Sequence, residues 1–126
     1  AHHPEEIKQS ILSMRALYQD KKLTGIFQPH LYTRTRDFYK EFAESLSLLD
    51  EVILTEIYPA RELPIEGVSS QLIYDHLPSS VHKTLCRKEN IFDILKEKDI
   101  EVLITLGAGD IENYAPQICE ILNERC

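Results

Sequence analysis

The segment from residue 27 to residue 38 concentrates side chains that can bind an anion. It reads Phe-Gln-Pro-His-Leu-Tyr-Thr-Arg-Thr-Arg-Asp-Phe, and its polar groups include His30, Tyr32, Arg34 and Arg36. Arginine offers a rigid fork of donors that fits a carboxylate or a phosphate. We predict that Arg34 lies in a loop and binds an anion beside His30, whereas Arg36 pairs with an acid on a helix surface. Tyr32 fits packing and binding equally well.

Apolar stretches predict where the polar loops lie. Residues 23–27 predict a short buried strand before the first loop, and residues 100–106 predict the clearest strand, followed by a Gly-Ala-Gly loop at residues 107–109. In open α/β sheets, ligands bind at the carboxyl ends of the strands. Two glycines also suit a simple sharp turn, so both interpretations of that loop remain open. Arg61 and Glu62 follow another predicted strand and could either close the site or form a surface ion pair; we favour the ion pair.

Apolar periodicity predicts helices that alternate with strands along the whole chain. The predicted helices cover residues 4–18, 36–49, 68–77, 90–95 and about 113–124, and the predicted strands cover residues 23–27, 52–57, 81–86 and 100–106. This alternation indicates one α/β domain in three layers, Rossmann-like, with a mostly parallel sheet flanked by helices. Its crossover connections are expected to be right-handed.

Composition and charge exclude several classes of function. The 126 residues carry a net charge of −7, which argues against nucleic acid or an anionic membrane as the main partner. No apolar run approaches the roughly 20 residues of a membrane span. The three cysteines are an odd number without CxxC spacing, which indicates a reduced, cytosolic protein.

Cofactor motifs are also missing from the sequence. It contains no Gly-x4-Gly-Lys-Ser/Thr loop for ATP phosphates, and residue 112 is Glu where a dinucleotide fingerprint needs a third glycine. His2 and His3 are adjacent and have no cysteine or carboxylate at metal-ligand spacing, so we predict no metal site built by this chain alone. The chain opens without Met, and Pro4 followed by acids suits a helix start. We therefore expect a domain excised from a longer parent.

Four segments occur in order along the chain and together resemble a known family. They are residues 2–7 (His-His-Pro-Glu-Glu-Ile), residues 27–38, residues 48–50 with 58–62, and residues 107–111 (Gly-Ala-Gly-Asp-Ile). Nearly the whole chain is similar to the C-terminal domain of the Mur ligases, above all the branch that joins UDP-N-acetylmuramate to L-alanine. The branch that recycles whole tripeptides shares the His-His-Pro segment and is the second choice, because it lacks the Gln-Pro-His-x-Tyr-x-Arg pattern.

This resemblance implies a cytoplasmic bacterial enzyme of three domains that acts in peptidoglycan synthesis. The first domain would hold the UDP-sugar and the central domain ATP and Mg²⁺, while residues 1–126 would bind the amino acid and close over ATP. ATP would convert the muramoyl carboxylate to an acyl phosphate, which the amine of L-alanine attacks. The isolated domain is expected to be inactive, and no residue in it is predicted to be catalytic.

The resemblance also implies which residues line the amino-acid pocket. They are His2, His30, Tyr32, Arg34, Gly107, Ala108 and Gly109. Arg34 would bind the alanine carboxylate, and His2 would approach from the side of the upstream domains. Many family members carry Arg where this chain has Leu31, so a second guanidinium is missing. The alternative function is a stand-alone α/β module that binds a small carboxylate with the same loops.

Overall fold

The computed structural model describes residues 3–59, 61–97 and 102–107. The helices are α1 (Pro4–Leu17), α2 (Tyr32–Leu46), α3 (Gln71–His76) and α4 (Ile91–Glu97), and the strands are β1 (Leu23–Gln28), β2 (Glu51–Leu54), β3 (His82–Leu85) and β4 (Val102–Gly107). A turn of 3-10 helix, Lys88–Asn90, leads into α4. The strands form one parallel sheet in the order β3-β2-β1-β4. The predicted α/β fold with a parallel sheet is confirmed.

Strand β1 lies inside the sheet and is covered on both faces. All six of its residues are buried, as expected for a short apolar run in a parallel sheet. Gly25 stands opposite Val52 of β2 on one side and opposite Ile104 of β4 on the other. Both edges of β1 are therefore bonded, and its two ends are fixed relative to the neighbouring strands.

Side chains alternate across the sheet, so each face carries its own apolar cluster. Helices α1, α2 and α3 cover one face, where Phe27 packs against Phe42 with ring centroids 5.2 Å apart. Helix α4 covers the other face, where Ile91 and Leu95 pack on Ile26. This division follows the strand order: α2 and α3 connect strands that advance in one direction, and α4 leads back across the sheet to β4.

Several boundaries differ from the sequence prediction. Helix α2 begins at Tyr32 instead of residue 36, so Arg34 belongs to a helix and the prediction of a loop position is wrong. Gly107 is the last residue of β4. Within α2, Phe38 is 40% exposed and lines an open groove beside the first turn of α1. The predicted helix at residues 113–124 lies outside the described residues.

An ionic cluster fixes the amino end of the sheet. Asp50 Oδ2 accepts hydrogen bonds from the Leu23 N–H at 2.8 Å and from Arg15 Nη1 at 3.1 Å. Arg15 also donates to the Leu48 carbonyl through Nε at 3.1 Å and Nη2 at 2.7 Å. Burial tends to raise the pKa of Asp50, but the hydrogen bonds from Arg15 and Leu23 outweigh it and hold the pKa below its ordinary value of 3.8.

We expect Asp50 to make the stability of the protein depend on pH in the acid range. Because its pKa is lowered by folding, its contribution is complete above pH 3.8 and is lost as the pH falls through the lower folded pKa. Urea unfolding at pH 7 and at about pH 3 measures the loss. The loss should be smaller in Asp50→Asn, whereas Asp20→Asn, an exposed control at the same sheet edge, should behave like the parent. Equal losses in parent and Asp50→Asn would contradict this role.

Leu49 packs against β1 in the space that a side chain at residue 25 would occupy. A Cβ atom at residue 25 would come within 2.4 Å of Leu49 Cδ1, and Leu49 is itself buried. We expect Gly25→Ala to lower the free energy of unfolding by about 1–3 kcal/mol, the usual effect of overpacking. The same substitution should have a smaller effect in a Leu49→Ala background, since the clash is then removed. Urea unfolding of the four proteins tests this, and additive effects would show that the clash is not the cause.

Candidate functional site at the carboxyl edge of the sheet

The candidate site lies where β1 and β4 end side by side. Gln28 of β1 stands opposite Gly107 of β4 at this edge. The chain leaves β1 toward β2 on one side, while β4 lies on the other side, and this reversal of strand order is where open α/β sheets form a ligand crevice. His30 follows β1 by two residues, and Tyr32 and Arg34 lie in the first turn of α2. The structure therefore brings four of the predicted residues, His30, Tyr32, Arg34 and Gly107, to one edge.

Backbone pairing between two loops holds the chain around His30. The Tyr58 N–H donates to the Pro29 carbonyl at 2.8 Å, and the Leu31 N–H donates to the Tyr58 carbonyl at 2.9 Å. His30 and Tyr58 form a parallel bridge, and their rings stack with centroids 5.9 Å apart at an angle of 19°. The pairing of β1 with β2 thus continues beyond the strands and fixes the imidazole of His30 in place.

Leu31 has a backbone conformation that side chains disfavour. Its φ is +71° and its ψ is 138°. A residue other than glycine with such a φ carries strain, which persists only where the surroundings impose it. Here they do so from both sides: the Leu31 N–H bonds to Tyr58, and its carbonyl accepts the Thr35 N–H at 3.2 Å and the Thr35 hydroxyl at 2.9 Å. The strain marks the turn that carries the chain from His30 into α2.

The start of α2 is capped from a distant part of the sequence. Leu31 occupies the N-cap position and makes no side-chain capping bond. Instead, Glu62 Oε1 accepts the Thr33 N–H at 3.1 Å and Glu62 Oε2 accepts the Thr33 hydroxyl at 2.6 Å. The Thr33 hydroxyl, followed by the backbone N–H groups of Thr33 and Tyr32, holds the pKa of Glu62 below its ordinary value. The interpretation of Arg61 and Glu62 as a surface ion pair is wrong.

The two arginines of the segment have different surroundings. Arg34 is half-buried, and its Nη1 atom is buried without a hydrogen-bond partner in the part of the chain that the structure describes. A buried donor without a partner is unusual, and an anionic ligand would satisfy it. Arg36 is exposed and bonds to Asp37 at 3.0 Å, as predicted. Of these two arginines, Arg34 is therefore the one with a buried donor that no described residue bonds.

Other predicted residues are placed as follows. Tyr32 is half-buried at the first position of α2. His2, Ala108 and Gly109 lie outside the described residues. Among residues 3–59, 61–97 and 102–107, no group of three His, Cys, Asp or Glu side chains could hold a metal ion. No helix in that same part of the chain is long and apolar enough to cross a membrane.

The Cys86 thiol lies at the same edge of the sheet but is not suited to nucleophilic chemistry. Burial, with a smaller effect from the charge of Glu56, raises the pKa of this thiol to about 11. A thiol is reactive as the thiolate, and at neutral pH this one is protonated. We therefore leave Cys86 out of the candidate site.

Because Leu31 is strained, we expect glycine to be more stable than alanine at this position, the reverse of the usual order. Replacing alanine by glycine normally lowers stability by about 0.4–1 kcal/mol, because glycine has more freedom in the unfolded chain. At a φ of +71° the Cβ of alanine is strained and glycine is not. We expect Leu31→Gly to be more stable than Leu31→Ala by about 1 kcal/mol. Urea unfolding of the pair measures it, and the usual order would show that residue 31 does not keep its positive φ.

A family model and relatives of known name place the chain in one family. The model described as "Mur ligase, glutamate ligase domain" matches residues 1–109. The UDP-N-acetylmuramate–L-alanine ligase of Phocaeicola vulgatus is 75% identical over 125 residues, which are 99% of this chain and 27% of that protein. The ligase of the same name from Parabacteroides distasonis is 57% identical over 97% of this chain and 26% of its own length. The chain thus spans about a quarter of the length of these relatives.

Solved structures show the same fold. The crystal structure of the UDP-N-acetylmuramate–alanine ligase of Thermotoga maritima matches all of this chain and 26% of its own, with a TM-score of 0.73 and 26% identity. A murein peptide ligase from Psychrobacter arcticus matches 97% of this chain and 26% of its own, with a TM-score of 0.75 but 17% identity, which supports the fold alone. The family model and the relatives agree with the resemblance found in the sequence: the chain belongs to the Mur ligase family and corresponds to its C-terminal domain.

Proposed function

We propose that this chain is the amino-acid-binding domain of a longer ligase that joins UDP-N-acetylmuramate to L-alanine at the expense of ATP. The buried Nη1 donor of Arg34, which has no hydrogen-bond partner among the described residues, carries this proposal. Relatives of that name, 75% and 57% identical over nearly the whole chain, support it. Residues 1–126 would then form the last domain, with the remaining domains of the enzyme upstream.

In this proposal Arg34 binds the carboxylate of L-alanine. A guanidinium and a carboxylate form two parallel hydrogen bonds, which fix the amino acid in orientation as well as position. Because the carboxylate is held at the floor of the crevice, the amine can point outward, toward the muramoyl group carried by the rest of the enzyme. His30, stacked on Tyr58, would border the same crevice. Tyr32 is the first residue of α2 and lies two residues before Arg34. The contribution of this domain is to hold and orient the amine that forms the amide.

Leu31 leaves Arg34 as the arginine of residues 27–38 that is available to a carboxylate. The side chain at residue 31 is apolar and half-buried, so it offers no hydrogen-bond donor to a carboxylate. Arg36 is already bonded to Asp37. The carboxylate of the amino acid is therefore assigned to Arg34 alone among the arginines of this segment.

The described residues do not form a recognisable binding site for ATP or Mg²⁺. The part of the chain that the structure describes has no carboxylate or imidazole cluster for the metal. The whole sequence has no phosphate-binding loop. In this proposal ATP, Mg²⁺ and UDP-N-acetylmuramate bind mainly to the upstream domains, and this chain contributes amino-acid binding.

Substitution of Arg34 in the full-length protein tests the proposal. We expect Arg34→Ala to raise the KM for L-alanine about ten- to a hundredfold, because a charged hydrogen bond contributes about 1.5–3 kcal/mol. The KM values for ATP and UDP-N-acetylmuramate should change little. Arg34→Lys keeps the charge but loses the fork, so its KM should be intermediate. Steady-state kinetics with each substrate varied in turn provide the measurement.

The matched control is Arg36→Ala, which removes an exposed guanidinium two residues away. It should leave the KM for L-alanine close to that of the parent. Unchanged alanine kinetics in Arg34→Ala, or equal effects of the two substitutions, would refute the assigned role of Arg34.

A further inference from the structure

We propose that Glu62 is a positioning residue: it fixes the first turn of α2 and thereby holds the Arg34 guanidinium ready for the carboxylate. This inference rests on the proposed function and extends it to the loop after β2. The two oxygens of Glu62 bind one residue, Thr33, through its N–H at 3.1 Å and its hydroxyl at 2.6 Å. Thr33 is the residue directly before Arg34 in the chain.

The first turn of α2 needs support that its own sequence does not supply. The first N–H groups of a helix have no partner within the helix and are usually satisfied by a side chain at the N-cap. Here the N-cap is Leu31, whose side chain cannot accept a hydrogen bond, and whose strained φ of +71° favours any opening of this turn. Glu62 provides the missing acceptor, and its negative charge is favourable at the positive end of the helix.

Arg34 depends on this turn more than a typical arginine would. Its Nη1 atom is buried and lacks a hydrogen-bond partner among the described residues. The guanidinium is therefore not held by a hydrogen bond of Nη1, and its position follows from the backbone that carries it. If the turn opened, Arg34 would lose its placement before a ligand could bind.

Glu62 is better suited to positioning than to direct binding of the amino acid. A carboxylate that faced the carboxylate of the ligand would repel it. Both oxygens of Glu62 are instead bonded to Thr33. These bonds lower the pKa of the Glu62 carboxyl, and the nearby charge of Arg36 lowers it further. The negative charge is thus directed toward the helix end.

Kinetics of the full-length protein separate positioning from simple stabilisation. We expect Glu62→Ala to raise the KM for L-alanine about tenfold, because displacement of a binding group reduces productive contacts. The kcat at saturating L-alanine and the KM for ATP should stay close to the parent values. Glu62→Gln should restore most of the lost affinity, since its amide oxygen still accepts the Thr33 N–H. The matched control is Glu66→Ala, which removes an exposed carboxylate from the same loop.

A double substitution shows whether Glu62 acts through Arg34. In an Arg34→Ala background, Glu62→Ala should cause no further rise in the KM for L-alanine, because the group that it positions is gone. If Glu62→Ala does not fold, Glu62→Asp replaces it: the carboxylate is one methylene shorter, cannot reach both Thr33 donors, and should raise the KM as well.

The outcomes distinguish failure of this inference from failure of the proposed function. If Arg34→Ala leaves the KM for L-alanine unchanged, the proposed function fails and this inference fails with it. If Arg34→Ala raises that KM but Glu62→Ala or Glu62→Asp behaves like Glu66→Ala, only the positioning role is overturned. A lower melting temperature with unchanged KM values would likewise reduce Glu62 to a stabilising cap.

Discussion

The backbone pairing that continues from β1 and β2 into the loops beyond them is the constraint on which the candidate site depends. Two hydrogen bonds, from Tyr58 to Pro29 and from Leu31 to Tyr58, join the loops where regular strands have already ended. They fix the stacked ring of His30 and maintain the strained turn at Leu31. Loops usually follow their own conformational preferences. These two loops instead keep the geometry of the buried sheet, so the side chains at its edge are placed by the core.

The proposed ligand is an anion, whereas the chain as a whole is acidic. The whole sequence carries −7, which by itself would discourage an anionic ligand. Arg36 is bonded to Asp37, and Glu62 is bonded to the first turn of α2, so Arg34 is the arginine of this segment to which we assign the carboxylate in our proposal. Short-range hydrogen bonds from a partly buried group are screened less than interactions with distant surface charges. A single well-placed guanidinium can therefore decide the binding of a carboxylate on an acidic protein.

The sequence predicted those parts of the fold that depend on local patterns. The buried strands and the alternation with helices follow from apolar periodicity, so β1, β4 and the layer arrangement were found. The start of α2 was missed because its capping residue lies 29 positions further along the chain, where no local capping pattern exists. The conformation of Leu31 was equally hidden, because it results from bonds with Tyr58 and Thr35 that form only in the folded chain. Arg34 was proposed from its residue type and from an expected loop position that the structure replaces with a helix, whereas the burial of its Nη1 atom required the three-dimensional structure.

The pairing of the two loops also determines where the chain after β2 can accept insertions and deletions. The residues between Leu54 and Tyr58 span a fixed distance, from the last pair of the sheet to the bridge with His30, so adding or removing one residue there would shift the Tyr58 carbonyl away from Leu31. Residues 63–67 are mostly exposed, and Leu63 is 83% exposed. Insertions in that stretch leave the bridge and the Glu62 cap untouched. A reporter group or an added peptide could therefore be placed within a few residues of the crevice without altering its architecture.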